Sequence, residues 1–371
     1  MEEIITELSR FRNLFVIARN SSFAYKGRSV DAKRIGRELG VRYILEGSVR
    51  KSAGRVRIMG RLVDEASGTL LWADRFEAQL EVIFDLQDQV TESVIGAIGP
   101  KLEQAEIDRA KRKPTENLDA YDYFLRGLAA AHRWTRGAND EALQMFYKAI
   151  ELDPDFASAY GMAARCYSQR KACGWVTDHA ADNAEVERLA RKASGLGMDD
   201  AVALSTAGIG LAFVAGDIDG GCIWIERALA LNPNLAIAWL YSGWVNIWIG
   251  LPDIAIERLS HAIRLSPQDP EIAMMQGATA CAHFFTGRID DAIFWAEQSL
   301  RLQPNYLIAT SMLAASYAIA GRSREAEDAV ERVRRVDPNC RISKLLDSFP
   351  FRRKGDFNRW SEGLRKAGLP E

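Results

Sequence analysis

Two hydrophobic rhythms divide the chain. From about residue 118 onward, apolar and small residues recur in blocks of about 34, each closed by the phrase Ala-x-x-Leu-x-Pro. The phrase stands at 149–154, 228–233 and 262–267, and returns at 299–304 with Ser299 in its first place and at 333–338 with Val333 and Val336 in its first and fourth. Pro233 and Pro267 are 34 residues apart, as are Pro304 and Pro338. A block of that length holds two helices, which cannot bury an apolar face alone, so neighbouring blocks must stack into a solenoid. Before about residue 105 the rhythm is different. Residues 14–18 are a short continuous apolar run, the pattern of a buried strand. Residues 29–39 read as a helix with Ser29 as N-cap and Gly40 as the stop. Three alternating runs follow at 43–51, 55–64 and 69–77, joined by Ser52-Ala53-Gly54 and Glu65-Ala66-Ser67-Gly68, both hairpin chemistry. A helix at about 85–104 closes the region, with Leu86, Val90, Val94, Ala97 and Leu102 on its apolar stripe. The order is helix, strand, helix, three-strand meander, helix.

In the block ending at Pro267 the small residues are Gly243, Gly250, Ala255 and Ala262, and the large ones Trp239 and Leu259. Small residues let paired helices approach, large ones fill the space between, glycine turns the chain and proline ends the second helix. This spacing resembles the tetratricopeptide repeat. Six repeats are expected at 118–340. One is irregular, with about ten extra residues near Trp175 and Met198 in the proline slot. After Pro338 the pattern fades into closing helices at 341–346 and 357–364, a cap that shields the last stacking face. Arg352-Arg353-Lys354 reads as the solvated side of that cap rather than a nucleic-acid site.

The stretches RNSSFAYKG (19–27), GRELGVRYILEGSVR (36–50) and LWADRF (71–76) resemble the TolB-type α/β domain found in a group of bacterial proteins. FDLQDQV (84–90), KPTENLDAY (113–121) and GLRKAGLPE (363–371) are similar to the form linked to class III adenylate or guanylate cyclases. The resemblance implies an α/β domain followed by tetratricopeptide repeats, and an effector ahead of both: most often a cyclase, sometimes a winged-helix DNA-binding domain. It also implies a strand ahead of Met1. On that expectation the chain is the regulatory half of a longer protein, lacking the cyclase domain, and the strand at 14–18 has a free edge.

Composition narrows the partners. The chain has 371 residues, 48% hydrophobic and 26% charged, with a net charge of −2, so it has no general attraction for nucleic acid or anionic membrane. The acidic start MEEIITE lacks signal-peptide chemistry, and no apolar run approaches the length of a spanning helix. Five scattered cysteines read as reduced thiols of a cytoplasmic protein. Arg55, Arg57 and Arg61 share one face of the second meander strand without the interleaved aromatics of an RNA-stacking sheet, so a solvated face is expected. The four histidines have no metal-ligand partner at helical spacing. Gly216-Asp217-Ile218-Asp219-Gly220-Gly221 lacks the closing glutamate of a calcium loop, and Gly208-Ile209-Gly210 has no preceding strand. No cyclase aspartate pair, phosphate loop or nucleophile elbow stands out. No enzyme activity, cofactor or metal is expected.

The concave face of the solenoid remains. First-helix positions place Phe213, Leu240, Trp244, Trp248, Phe284 and Phe285 on it, beside Ile209, Ile237, Ile247 and Ile319. So apolar a surface either packs between helices, is filled by the N-terminal domain or the C-terminal cap, or takes a protein or peptide partner. The expected architecture is α+β and mostly α: a small α/β sheet domain at 1–105, a linker at 106–117, the all-α solenoid at 118–340 and a helical cap at 341–371. The expected function is a non-catalytic protein-protein interaction and regulatory module acting on a partner or an upstream cyclase domain. The alternatives are an independent scaffold or assembly factor, and the sensor half of a winged-helix transcription regulator.

Overall fold

The computed structural model describes residues 2–11, 14–18, 21–22, 24–25, 31–52, 54–79, 83–113 and 118–371. It divides into two units, Met1–Arg109 and Ala110–Glu371, each taken by itself.

In the first unit, β1 (Tyr43–Ser52), β2 (Arg55–Asp64) and β3 (Leu70–Gln79) form an antiparallel meander in the order β1-β2-β3. Alternation sends Val56, Ile58 and Leu62 to one face, into a core with Ile4 and Leu8 of α1 (Glu2–Leu8) and Val90, Val94, Ile98 and Leu102 of α3 (Ile83–Arg112). On the other face the register sets Glu46 opposite Arg61 and Arg57 opposite Glu77, and each pair forms an ion pair. Two of the three arginines of that face are thus paired along the strands, and the face stays solvated.

Three expectations for this unit change. The helix expected from Ser29 is α2 (Ala32–Leu39), capped by Asp31, whose carboxylate accepts from the Lys33 amide at 3.4 Å; Ser29 lies outside the described residues. Gly40 ends α2 in the left-handed region at φ 67°. Residues 14–18 are not a strand. Leu14 and Val16 rest on the core while Phe15 is 87% exposed, so the run alternates in and out without joining the three described strands. The free strand edge expected there does not exist. The linker expected at 106–117 is helical as far as Arg112. Glu106 holds the helix to the sheet: its carboxylate accepts from Tyr43 Oη at 2.6 Å and pairs with Arg42 at 2.5 Å and Arg109 at 2.8 Å. Residues 114–117 lie outside the described residues.

The second unit is a stack of six helix hairpins. They are α4 (Ala120–Ala131) with α5 (Arg136–Leu152), α6 (Ala157–Ala172) with α7 (His179–Leu196), and α8 (Ala201–Gly210) with α9 (Ile218–Leu231). Then come α10 (Ala236–Ile249) with α11 (Pro252–Leu265), α12 (Ile272–Thr286) with α13 (Ile289–Leu302), and α14 (Leu307–Ile319) with α15 (Ser323–Val336). In three of the hairpins a glycine on the first helix meets a large residue on its partner. A Cβ at Gly127 would lie 2.6 Å from the Phe146 ring, and one at Gly243 would lie 2.6 Å from Leu259. That close approach is why the repeat demands glycine there. The extra residues of the second hairpin form the turn between α6 and α7, where Asp178 caps α7. α8 widens into a π turn, Leu211–Ala215, which holds Phe213. α16 (Ile342–Asp347) and α17 (Lys354–Lys366) close the unit, with Trp360 and Leu364 buried.

Candidate interaction groove

All six groove residues named from the sequence are buried, and the structure gathers them into one aromatic floor. Phe213 stacks on Trp248 with ring centres 5.1 Å apart, and Trp248 stacks on Trp244 at 5.9 Å. Phe284 and Phe285 meet edge to face at 5.4 Å. Leu240 lines a small cavity beside Trp244.

What covers the floor is the chain's own C-terminal segment. Phe349 packs on Phe213 at 5.5 Å and on Phe351 at 5.7 Å, and Phe351 packs on Phe285 at 5.3 Å. Trp360 meets both, at 5.4 and 6.0 Å. Of the possibilities for so apolar a groove, filling by the C-terminal cap is the arrangement found. The arginines of the cap are not merely solvated: Arg352 pairs with Asp219 at 2.7 Å, and Arg353 donates to the Gly250 carbonyl at 2.9 Å.

The cavity beneath this cover measures about 60 Å³ and is lined by residues of all six hairpins, among them Trp134, Arg165, Tyr241, Glu271 and Tyr306. Arg165 is buried in an ion pair with Glu271 and donates from Nε to Tyr241 Oη at 3.0 Å. Burial disfavours the charge, and the Glu271 carboxylate restores it, leaving the guanidinium raised above its ordinary pKa. Trp134 is the one described non-glycine residue with positive φ, 48°, a strained setting for a bulky side chain. In that setting its ring faces Arg165 at 5.8 Å and Tyr306 at 6.0 Å. Beside the floor, Lys171 donates to the Phe213 carbonyl at 2.6 Å, and desolvation pulls its ammonium down to about 8. The floor was found by helical spacing. Phe349, Phe351, Arg165, Glu271 and Trp134 were not, because each meets it from a distant hairpin or from outside the repeats. The Phe-Pro-Phe between the two closing helices was the available signal.

Among the described residues, no group of three or more His, Cys, Asp or Glu could hold a metal ion, and no helix is long and apolar enough to cross a membrane.

No protein-family model matches the chain. Over 159 residues, 43% of this chain and 27% of the relative, it is 44% identical to "Putative adenylate cyclase 3" of Rhizobium meliloti (strain 1021). Over 194 residues, 52% of this chain and 34% of the relative, it is 23% identical to "Transcriptional regulator HilA" of Salmonella typhimurium. The chain therefore spans only about a quarter to a third of the length of these relatives. Among solved structures, a monomeric mutant of IFIT1 with m7Gppp-AAAA aligns over 72% of this chain and 60% of its own, with TM-score 0.52 and 18% identity. YrrB, described as a TPR protein with an unusual peptide-binding site, aligns over 52% of this chain and 93% of its own, with TM-score 0.33 and 20% identity. The likeness is one of fold: a helical solenoid with tetratricopeptide-type neighbours.

Proposed function

We propose that the chain is a non-catalytic interaction and regulatory module, similar to the C-terminal part of a class III nucleotide cyclase. It would hold a protein or peptide segment on the concave side of its solenoid and thereby bias a cyclase domain. The observation that supports this most is the aromatic floor of Phe213, Trp244, Trp248 and Phe285, which already accommodates a non-helical stretch of chain. A row of apolar anchor sites along a groove is how helical repeats recognise peptides. The identity with a protein named as a putative adenylate cyclase supports the cyclase connection. On this reading residues 1–105 are a TolB-type α/β domain, 118–340 six tetratricopeptide repeats and 341–371 their cap, and the protein works in the cytoplasm with a protein partner rather than nucleic acid or membrane.

The test compares cyclic-nucleotide formation by this chain with that by a longer product including any in-frame coding sequence upstream of Met1. The chain alone should be inactive and the longer product active; cyclic nucleotide from the chain alone would overturn the reading. Similarity to a transcriptional regulator favours a second reading, the sensor half of a winged-helix regulator, which an upstream winged helix would select.

A further inference from the structure

The segment seated in the groove reports what the groove accepts. Between α16 and α17 the chain runs Ser348-Phe349-Pro350-Phe351-Arg352-Arg353. Pro350 has no amide hydrogen to satisfy and biases Phe349 toward extended backbone. The Arg352 amide donates to the Trp248 carbonyl at 2.8 Å. The two phenylalanines occupy separate places on the floor, one on Phe213 and one on Phe285.

The cations follow a rule of their own. Arg353 donates to the Gly250 carbonyl at the C-terminus of α10, at 2.9 Å. Arg359 lies over the Phe284 ring at 5.6 Å, with Nη1 3.5 Å from the Phe285 carbonyl at the C-terminus of α12. Lys171 serves the equivalent end of α8 through the Phe213 carbonyl. Three successive first helices thus turn their carbonyl ends toward a cation, where the helix dipole favours one. Two of those three cations belong to the C-terminal segment. Its ion pair is exposed, the Arg352 and Asp219 side chains being 45% and 76% accessible, while the contacts of Arg353 and Arg359 with the helix ends are part-buried. Exposed pairs of that kind hold weakly, whereas the floor beneath is buried.

We propose that the groove is a site for a basic aromatic segment of a partner protein, an aromatic-Pro-aromatic run followed by arginines, and that residues 348–359 are its internal competitor. This rests on the interaction reading above and names the partner's chemistry. Partner and C-terminal segment use the same floor and the same helix ends, so only the fraction of molecules with the segment released can bind, and the apparent affinity falls by that fraction.

The test uses a fluorescein-labelled peptide of residues 348–359, SFPFRRKGDFNR, titrated by anisotropy against the full chain and against Phe349→Ala/Phe351→Ala. The variant should bind at least ~tenfold more tightly than the unaltered chain. A peptide with both phenylalanines replaced by alanine should not bind. Equal affinity for the two proteins, or no binding to a variant that keeps its helical melting transition, overturns the proposal. Should that variant lose its fold, Arg352→Ala/Arg353→Ala, whose side chains lie at the surface, should still show a gain of about threefold; no gain overturns the proposal equally. In the unaltered chain the Arg352 amide must exchange its hydrogen faster than the amides of α12; exchange only with global unfolding sinks the idea. A concentration-dependent dimer abolished by Phe349→Ala/Phe351→Ala would make a second copy the occupant and likewise overturn it. Capture of a partner by the solenoid that free peptide cannot compete would sink this inference while leaving the interaction module standing.

Discussion

On the sheet, Arg57 and Arg61 stand opposite Glu77 and Glu46 on neighbouring strands. In the C-terminal segment, Arg353 and Arg359 instead reach main-chain oxygens at the ends of α10 and α12. Both sets read alike in the sequence, as positive charge on a solvated face. The sheet pairs are decided by register, two residues directly across a ladder, and so are nearly local. The groove contacts are decided by how successive hairpins present their helix ends, which no local pattern encodes. Charge in a sequence tells what a surface can attract; the fold decides whether another part of the chain has already answered.

Arg165 is the extreme of that comparison, an arginine wholly inside. Arg165→Ala leaves Glu271 buried without its partner and should cost about 3–5 kcal/mol in urea unfolding. Replacing both, with Arg165→Met and Glu271→Leu, should recover most of it. A loss below ~1 kcal/mol for the single change would place the pair among surface contacts like those of the sheet.

Acid separates the interior from the surface next. Desolvation, with Arg165 nearby, pulls the His132 imidazole down to about 4 from an ordinary 6.5. Between those values the unfolded chain binds more protons, so stability is full above pH 6.5 and falls as pH drops toward 4. The loss should reach up to about 3 kcal/mol. His132→Gln should flatten the slope in thermal melts across that window; an unchanged slope would assign it to other groups.

Two glycines then isolate the docking of the C-terminal segment. Gly250 and Gly321 both end first helices in the left-handed region, at φ 85° and 74°. Alanine at either should cost about 1–2 kcal/mol of backbone strain. At Gly250 the new Cβ would also fall 1.8 Å from Arg353 Cδ, while at Gly321 it would meet nothing within 4 Å. Gly250→Ala should therefore destabilise by ~1 kcal/mol more, from the packing the segment must give up. Equal losses would show that the arginine contact contributes nothing.

The smallest effect belongs to the sheet. Arg57→Ala or Arg61→Ala should cost less than ~1 kcal/mol each, and that cost should vanish in high salt. A larger, salt-insensitive loss would show that the sheet face is not simply solvated.

Much of the solenoid was legible because its rules are local and repeated. Pro154, Pro233, Pro267, Pro304 and Pro338 each stand just past a second helix, and the glycine facing a large residue recurs at Gly127, Gly208 and Gly243. The meander was legible from its alternation and turn residues. Residues 14–18 misled because an apolar run records burial and not pairing: two side chains on the core satisfy it without a ladder. The first part of the expected linker is helical because Glu106, unremarkable in sequence, meets Tyr43 and Arg42 from far up the chain. In the groove, spacing found the floor but not its cover, since Phe349 and Phe351 belong to no repeat.

Trp134 and Tyr306 belong to the first and last of the six hairpins, yet their rings touch. A linear array of repeats behaves like beads coupled only to their neighbours, so its ends can melt while its middle stands. A contact that joins bead one to bead six turns the string into a loop. Neither terminal hairpin can then fray without disturbing the other, and the array should unfold as one cooperative event.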